Sequence, residues 1–476
     1  MRNISGRKVV IIGAARQGIA LARFLITHGA EVVLTDIRLL EDLSEARASL
    51  ADLPIQWVCG EHPLSLLDKT DLLCPSGGVP FNLPLITEAK RRAIPLYNDS
   101  QLFLESAPCK VIGITGSSGK STTTTLVGRI ALPTIAAQNN AGKKSTPYNR
   151  IWMGGNLGAP LIAVLDELQP NDLAVMELSS FQLELMTTSP DIAAVLNVTP
   201  NHLDRHINME AYIAAKARIL QYQSSEDIAV LGRDDPGAWG LAEYVCGRLV
   251  TFSREIPPMG QAGSFLREDN LFLQSEEGIV THIMSCSDIS IRGEHNLYNV
   301  LAACAISHAA GLSVEAMRSG VVGFTGVAHR LEFVRSWGGA DWYNDSIATA
   351  PERAMAAIRS FNEPLVMLVG GRDKNLPWED FARLVSQRVD HLILFGEAAN
   401  KIELAFNSLS ASGARKNEKK LDVIHCTNLQ QAVQAAVRVI SPGDVVLLSP
   451  GGTSFDEFRD FEDRGEAFRQ WVMELP

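Results

Sequence analysis

The sequence predicts an α/β protein of three consecutive units, and three observations predict it. Short β-branched apolar runs followed by glycine-containing turns open three separate stretches of the chain. Helix-like segments and further apolar runs alternate after each of them, which is the pattern of parallel sheets. At 476 residues the chain has the length of about three domains.

Taken in order, the run at 9–12 is followed by a turn from Gly13 to Gly18, a helix to about His28 and a second strand ending at Asp36, a βαβ start. The second unit opens with the strand 111–115 and a glycine-rich loop before a helix-compatible run. Within it, residues 228–292 change to short alternating pieces, 249–252 and 279–283 among them, which predict an antiparallel excursion. The third unit begins after Gly326 with the strand-like 331–334 and continues through runs at 365–369, 391–395 and 445–448, another parallel sheet. The polar, basic stretch 411–420 reads as a solvated loop. The expected domains are 1–107, Rossmann-like; 108–326, P-loop ATPase-like with the antiparallel excursion; and 327–476, Rossmann-like.

Composition narrows the function classes. A content of 46% hydrophobic and 20% charged residues is that of a soluble globular protein. The net charge of −11 argues against general nucleic-acid binding, which needs basic surface to neutralise phosphates. Seven scattered cysteines without a CxxC pair predict reduced thiols and no cysteine zinc site. No apolar run approaches the roughly 20 residues that span a bilayer. A cytoplasmic protein without signal or anchor is expected.

The strongest local signal is the loop Gly116-Ser117-Ser118-Gly119-Lys120-Ser121-Thr122. Between a strand and a helix, such a loop aims backbone N–H groups at phosphates, adds Lys120 as a point charge and offers the Ser121 hydroxyl to Mg²⁺. Position 114 is Ile, so the pattern is shorter than GxxxxGK. Glu177 ends an apolar run, where a carboxylate can reach the ion. His202 lies in a polar, metal-competent stretch after another strand. By helical context alone Lys216 reads as a solvated lysine, and Asn296 as the cap of the Ala-rich helix that follows. The Gly13 turn with Asp36 suits a dinucleotide, a nucleotide sugar or a purely structural turn; Ala15 replaces the middle glycine that would let a pyrophosphate approach. In the third unit Arg330 and Lys374 suit carboxylates or phosphates, and Ser454 with its backbone suits a small acid.

Together the segments TGSSGKST, MELSSFQLE, NVTPNHLDRH, AAKARI, GEHNLYN, HR, NDSIAT, GGRDK and SPGGTSFDEF resemble the Mur ligases, ATP-dependent amide-forming enzymes of peptidoglycan precursor assembly. They occur in the family's order over nearly the whole chain. The resemblance implies addition of D-glutamate to UDP-N-acetylmuramoyl-L-alanine through an acyl phosphate, with closure of the third domain keeping water out. It also implies a UDP site at Arg16, Gln17, Asp36, Arg38 and Ser76, with Asn156 near the muramoyl group. ATP would lie on the Lys120 loop and face Asn296, Arg330 and Asp345. One Mg²⁺ would be held by Ser121 and Glu177, and a second by His202 and a carbamylated Lys216. Thr349, Lys374, Ser454 and Phe461 would take the glutamate.

The partners implied are small molecules, and a monomer is expected. Three positions depart from the family pattern: Ser118 where Asn is frequent, and Ile347 and Ala350 where many members have Lys and Asn. An L-glutamate-adding or other amino-acid-adding relative is therefore an alternative. So are a nicotinamide-dependent dehydrogenase, which would use the Gly13 turn and Asp36, and a phosphate-sensing module without turnover.

Overall fold

In the first sheet, the strand Lys8–Ile12 lies between Glu31–Asp36 and Leu72–Pro75, and Gln56–Cys59 adds to the outer edge of Glu31–Asp36, all parallel. Val9, Val10, Ile11 and Ile12 are all buried, which is why the run is continuously apolar rather than alternating. The helix Arg16–Thr27 buries Leu21, Ala22, Phe24 and Leu25, one stripe at helical spacing. The computed structural model describes residues 4–132, 146–156, 158–200, 206–373, 376–411 and 421–476. His202, Lys374 and nearly all of the predicted loop 411–420 lie outside them.

The central sheet has nine strands. Seven are parallel, in the order Ile151–Gly155, Leu173–Glu177, Lys110–Thr115, Ile192–Val195, Ile228–Gly232, Arg248–Ser253 and Ala262–Arg267. The chain builds first on one side of Lys110–Thr115 and then on the other, so the carboxyl end of that strand is a topological switch point, where open α/β sheets bind ligands. Antiparallel pairing in this sheet occurs only where Asn270–Gln274 lies between Ala262–Arg267 and Val280–Ser285. The predicted excursion is thus confined to the sheet's edge. Residues 249–252 belong to a parallel strand, because the helical segments Pro236–Trp239 and Gly240–Tyr244 carry the chain back before Arg248–Ser253 begins.

The third sheet runs Glu332–Trp337, Ala340–Asn344, Val445–Gly451, Leu365–Gly370, His391–Phe395, Asp422–His425. It is parallel apart from its first pair, so the strand at the start of this unit is an antiparallel edge. Trp342 and Phe468 pack on one face, Phe361 and Trp378 on the other.

The backbone forms two compact units, residues 1–290 with 294–324, and residues 291–293 with 325–476. In the first unit the two sheets share one apolar core. Phe24 and Leu25 of the first helix, and Leu102 and Phe103 of the helix Asp99–Ser106, pack in one cluster with Leu161, Ile162 and Leu165. No described helix is long and apolar enough to cross a membrane.

Candidate active site

At the end of Lys8–Ile12 the chain turns tightly, and a Cβ on Gly18 would lie 1.9 Å from the Gly13 carbonyl oxygen. Only glycine allows the helix to start that close to the strand. The Asp36 carboxylate accepts the Ala14 N–H at 2.8 Å, the Arg38 N–H at 2.9 Å, and Arg38 Nε and Nη2 at 3.0 and 2.8 Å. Burial alone would raise its pKa, but these hydrogen bonds and the Arg38 charge hold it down at about 2. They fill the four or so lone-pair sites of a carboxylate. None is left for a ribose hydroxyl, which removes the feature that favoured a dinucleotide, and Arg38 is the group turned outward, its side chain 48% exposed. Ser76 Oγ donates to the Gly13 carbonyl, and the Gly77 N–H donates to Gln17 Oε1, so the turn and the end of Leu72–Pro75 form one rim beside exposed Arg16.

The loop after Lys110–Thr115 leads into the helix Lys120–Ala131 through Gly119, whose φ is +80°. A side chain there would be strained, and its Cβ would stand 2.2 Å from Asn299 Oδ1. Lys120 Nζ arches back to the Gly116 and Ser117 carbonyls at 2.9 and 3.4 Å. Ser117 Oγ accepts the Thr199 N–H and lies 3.0 Å from the Tyr212 hydroxyl, and the Ser118 N–H donates to Asn197 Oδ1. Ser121 and Thr122 are buried at the start of the helix.

Glu177 is buried at the end of its strand. Its Oε1 accepts a 2.7 Å hydrogen bond from Asn156 Nδ2, while Oε2 is buried without a partner among the described residues. An unpaired buried carboxylate oxygen is costly unless a cation or donor joins it. Lys216 is not solvated: its side chain is among the most buried in the chain, with Nζ 3.4 Å from Thr115 Oγ1 and 4.7 Å from the centre of the Tyr212 ring. Burial, and then the charge of Lys120, drive its pKa well below the usual lysine value. His206, also buried, lies 2.9 Å from Ser180 Oγ. Asn296 is not a cap. It sits in the first turn of Glu294–Ala309 and accepts from Asn299, the residue that stands against Gly119.

In the second unit His329 and Leu331 have φ of +62° and +42°, so Arg330 is carried on a strained reverse turn. Its Nε is buried without a partner among the described residues. Asp345 accepts from Ser449 Oγ and the Leu331 N–H; burial nevertheless pushes its pKa up to about 7. Arg464 is fully buried and donates to Ser346 Oγ, to the Ser346 carbonyl and to the Gly452 carbonyl, while Ser346 Oγ donates to the Phe461 carbonyl. These bonds tie Asp345-Ser346 and the Gly452–Ser454 segment to the helix Phe461–Met473. Thr349 lies just before the helix Pro351–Ile358, and Ser454 is buried. Tyr212, Asn299 and Arg464 had no assigned part in the sequence reading. The first two stand one helical turn from Lys216 and Asn296, a spacing that could have found them.

Residues 7–98 match the family model for the Mur ligase MurD-like N-terminal domain, 114–307 the Mur ligase middle domain and 329–452 the Mur ligase glutamate ligase domain. The chain belongs to the Mur ligase family. Among similar Mur ligases, the UDP-N-acetylmuramoylalanine–D-glutamate ligase of Symbiobacterium thermophilum is 40% identical over 98% of both chains. That of Acetivibrio thermocellus is 36% identical over 100% of this chain and 98% of its own. The fold is also that of more distant Mur ligases. A UDP-N-acetylmuramate–alanine ligase from Thermotoga maritima aligns with a TM-score of 0.53 at 18% identity, over 98% of this chain and 99% of that one. A MurF ligase from the same organism, in complex with ADP, aligns at 0.53 with 15% identity over 100% and 99%.

Proposed function

We propose that the chain joins D-glutamate to the alanyl carboxylate of UDP-N-acetylmuramoyl-L-alanine, with ATP cleaved to ADP and phosphate. The observation that carries this reading is the 40% identity to a D-glutamate ligase over 98% of both chains, since it covers all three sheets. Residues 1–107 take the UDP part through Arg16, Gln17, Arg38 and Ser76, with Asp36 positioning Arg38 and Asn156 close to the muramoyl group. Residues 108–326 take ATP and 327–476 the glutamate. The protein acts as a monomer in the cytoplasm, a compartment that suits its seven free cysteines.

A carboxylate is a poor acyl donor. One of its oxygens attacks the γ-phosphorus, the bond to the bridging oxygen breaks, and ADP leaves. The glutamate amine then attacks the acyl carbon, phosphate departs with the C–O bond, and the nitrogen gives up a proton. The N–H groups of Gly119 to Thr122 and the Lys120 ammonium hold the phosphates; the Ser117 and Ser118 N–H groups are spent on Asn197, which with Thr199 and Tyr212 pins the loop, so that Lys120, turned from its own loop carbonyls, is the group that moves. The family pattern assigns Asn296, Arg330 and Asp345 to the nucleotide, and Thr349, Lys374, Ser454 and Phe461 to the glutamate.

The residues present fit Mg²⁺, because the unpartnered Glu177 oxygen and the Ser121 hydroxyl are both hard oxygen donors. When bound, the ion would neutralise phosphate charge. His202 and a carbamylated Lys216 would hold a second one. A neutral amine is the form that adds to CO₂, and the buried setting of Lys216 favours that form. The deciding experiment is phosphate release from ATP and Mg²⁺ with UDP-N-acetylmuramoyl-L-alanine, in the presence of D-glutamate, L-glutamate or neither. Release that depends on D-glutamate is expected; preference for L-glutamate, or none with either, overturns the reading.

A further inference from the structure

We infer that Arg353 is a glutamate-binding residue, which presents its guanidinium beside Ile347 to a carboxylate of the incoming amino acid. This deepens the proposed function and rests on it. Arg353 stands in the first turn of the helix Pro351–Ile358. That end of a helix carries partial positive charge and disfavours a cation. Partial burial of the guanidinium is the largest penalty on its charge, the neighbouring Arg330 guanidinium adds to it, and Asp345 opposes it. Asp345 does not pair with either arginine: its oxygens are engaged by Ser449 and Leu331. Among the described residues Arg353 makes no ion pair, and its one side-chain hydrogen bond is a long one, 3.4 Å from Nη1 to the Ile347 carbonyl.

A guanidinium placed against a helix dipole and another guanidinium, with its remaining donors unspent, is stabilised when an anion arrives. A carboxylate matches its fork geometry with two parallel hydrogen bonds. The carbonyl contact holds the group at the segment 347–349, next to Thr349, which the proposed function gives to glutamate. The alternative anion, a phosphate of ATP, is separated by the test.

Arg353 is exposed, so its replacement leaves the core untouched. In Arg353→Ala the KM for D-glutamate should rise about 10- to 100-fold, the loss expected of a charge-assisted hydrogen-bond pair, with the KM for ATP within about twofold of wild type and the melting temperature unchanged. Arg353→Lys, which keeps the charge without the fork, should fall between. An unchanged KM for D-glutamate, or an equal rise in the KM for ATP, overturns the inference while wild-type turnover leaves the enzyme reading intact. Absence of wild-type turnover with D-glutamate removes both.

Discussion

Lys120 spends its ammonium on two carbonyls of its own loop, an arrangement that γ-phosphate binding would exchange for a stronger, charge-assisted one. Lys120→Ala should therefore lower phosphate release at least about a hundredfold while costing only about 1 kcal/mol of stability. Activity near wild type in a folded variant would remove the loop from the mechanism. Lys216 makes a different prediction: incubation with ¹³C-bicarbonate should give a carbamate carbon signal that disappears in Lys216→Arg. Asp345 supplies a pH dependence. Its carboxyl keeps its proton to about 7 in the fold against 3.8 ordinarily, so between those values the folded state binds the extra proton and stability falls as pH rises, levelling off above 7. Urea midpoints across that range should slope less in Asp345→Asn, whereas parallel slopes would place the titration elsewhere. Much at this scale was legible in the sequence. The Lys120 loop declares itself by spacing, and the loss of a lysine at Ile347 is plain. Arg353, a half-turn into the next helix, was not, because its meaning comes from Arg330 and Asp345, far enough along the chain that only the fold brings them near.

At the scale of the element, the helix starts are set by close approach. Gly18→Ala would drive a methyl group into the Gly13 carbonyl 1.9 Å away, so the turn must open and the Arg38 side chain lose its fixed place. The expected cost is about 1–3 kcal/mol, with the KM for the UDP substrate rising more than the KM for ATP; equal effects on both would show general unfolding instead. Strands and helices were readable from continuous apolar runs and their punctuation. Direction was not. Residues 249–252 alternate in polarity as an antiparallel strand would, yet Thr251 is as buried as Val250 and Phe252 in the fourth strand from the edge, so that alternation carries no direction, and the crossover that decides the matter is made of two short helical segments.

For the whole molecule, three repeats of strand, turn and helix were visible in the sequence, but which of them share a core was not, since that depends on contacts distant along the chain. The second unit has apolar clusters on both faces of its own sheet. Residues 325–476 alone should unfold cooperatively in urea with near-UV dichroism from buried Trp342 and Trp378. Residues 1–107 alone should lack such a transition, because Phe24 and Leu102 lose their partners at Leu161, Ile162 and Leu165. A cooperative fold of that fragment would show the shared core to be dispensable. The same shared core sets a timetable for biosynthesis. At about 5–20 residues per second, the ribosome needs several seconds more after residue 107 before the segment Leu161–Glu167 is made, and for that interval the nascent helices Arg16–Thr27 and Asp99–Ser106 carry an uncovered apolar face. Chaperones that bind such faces would find their opening there, early in translation.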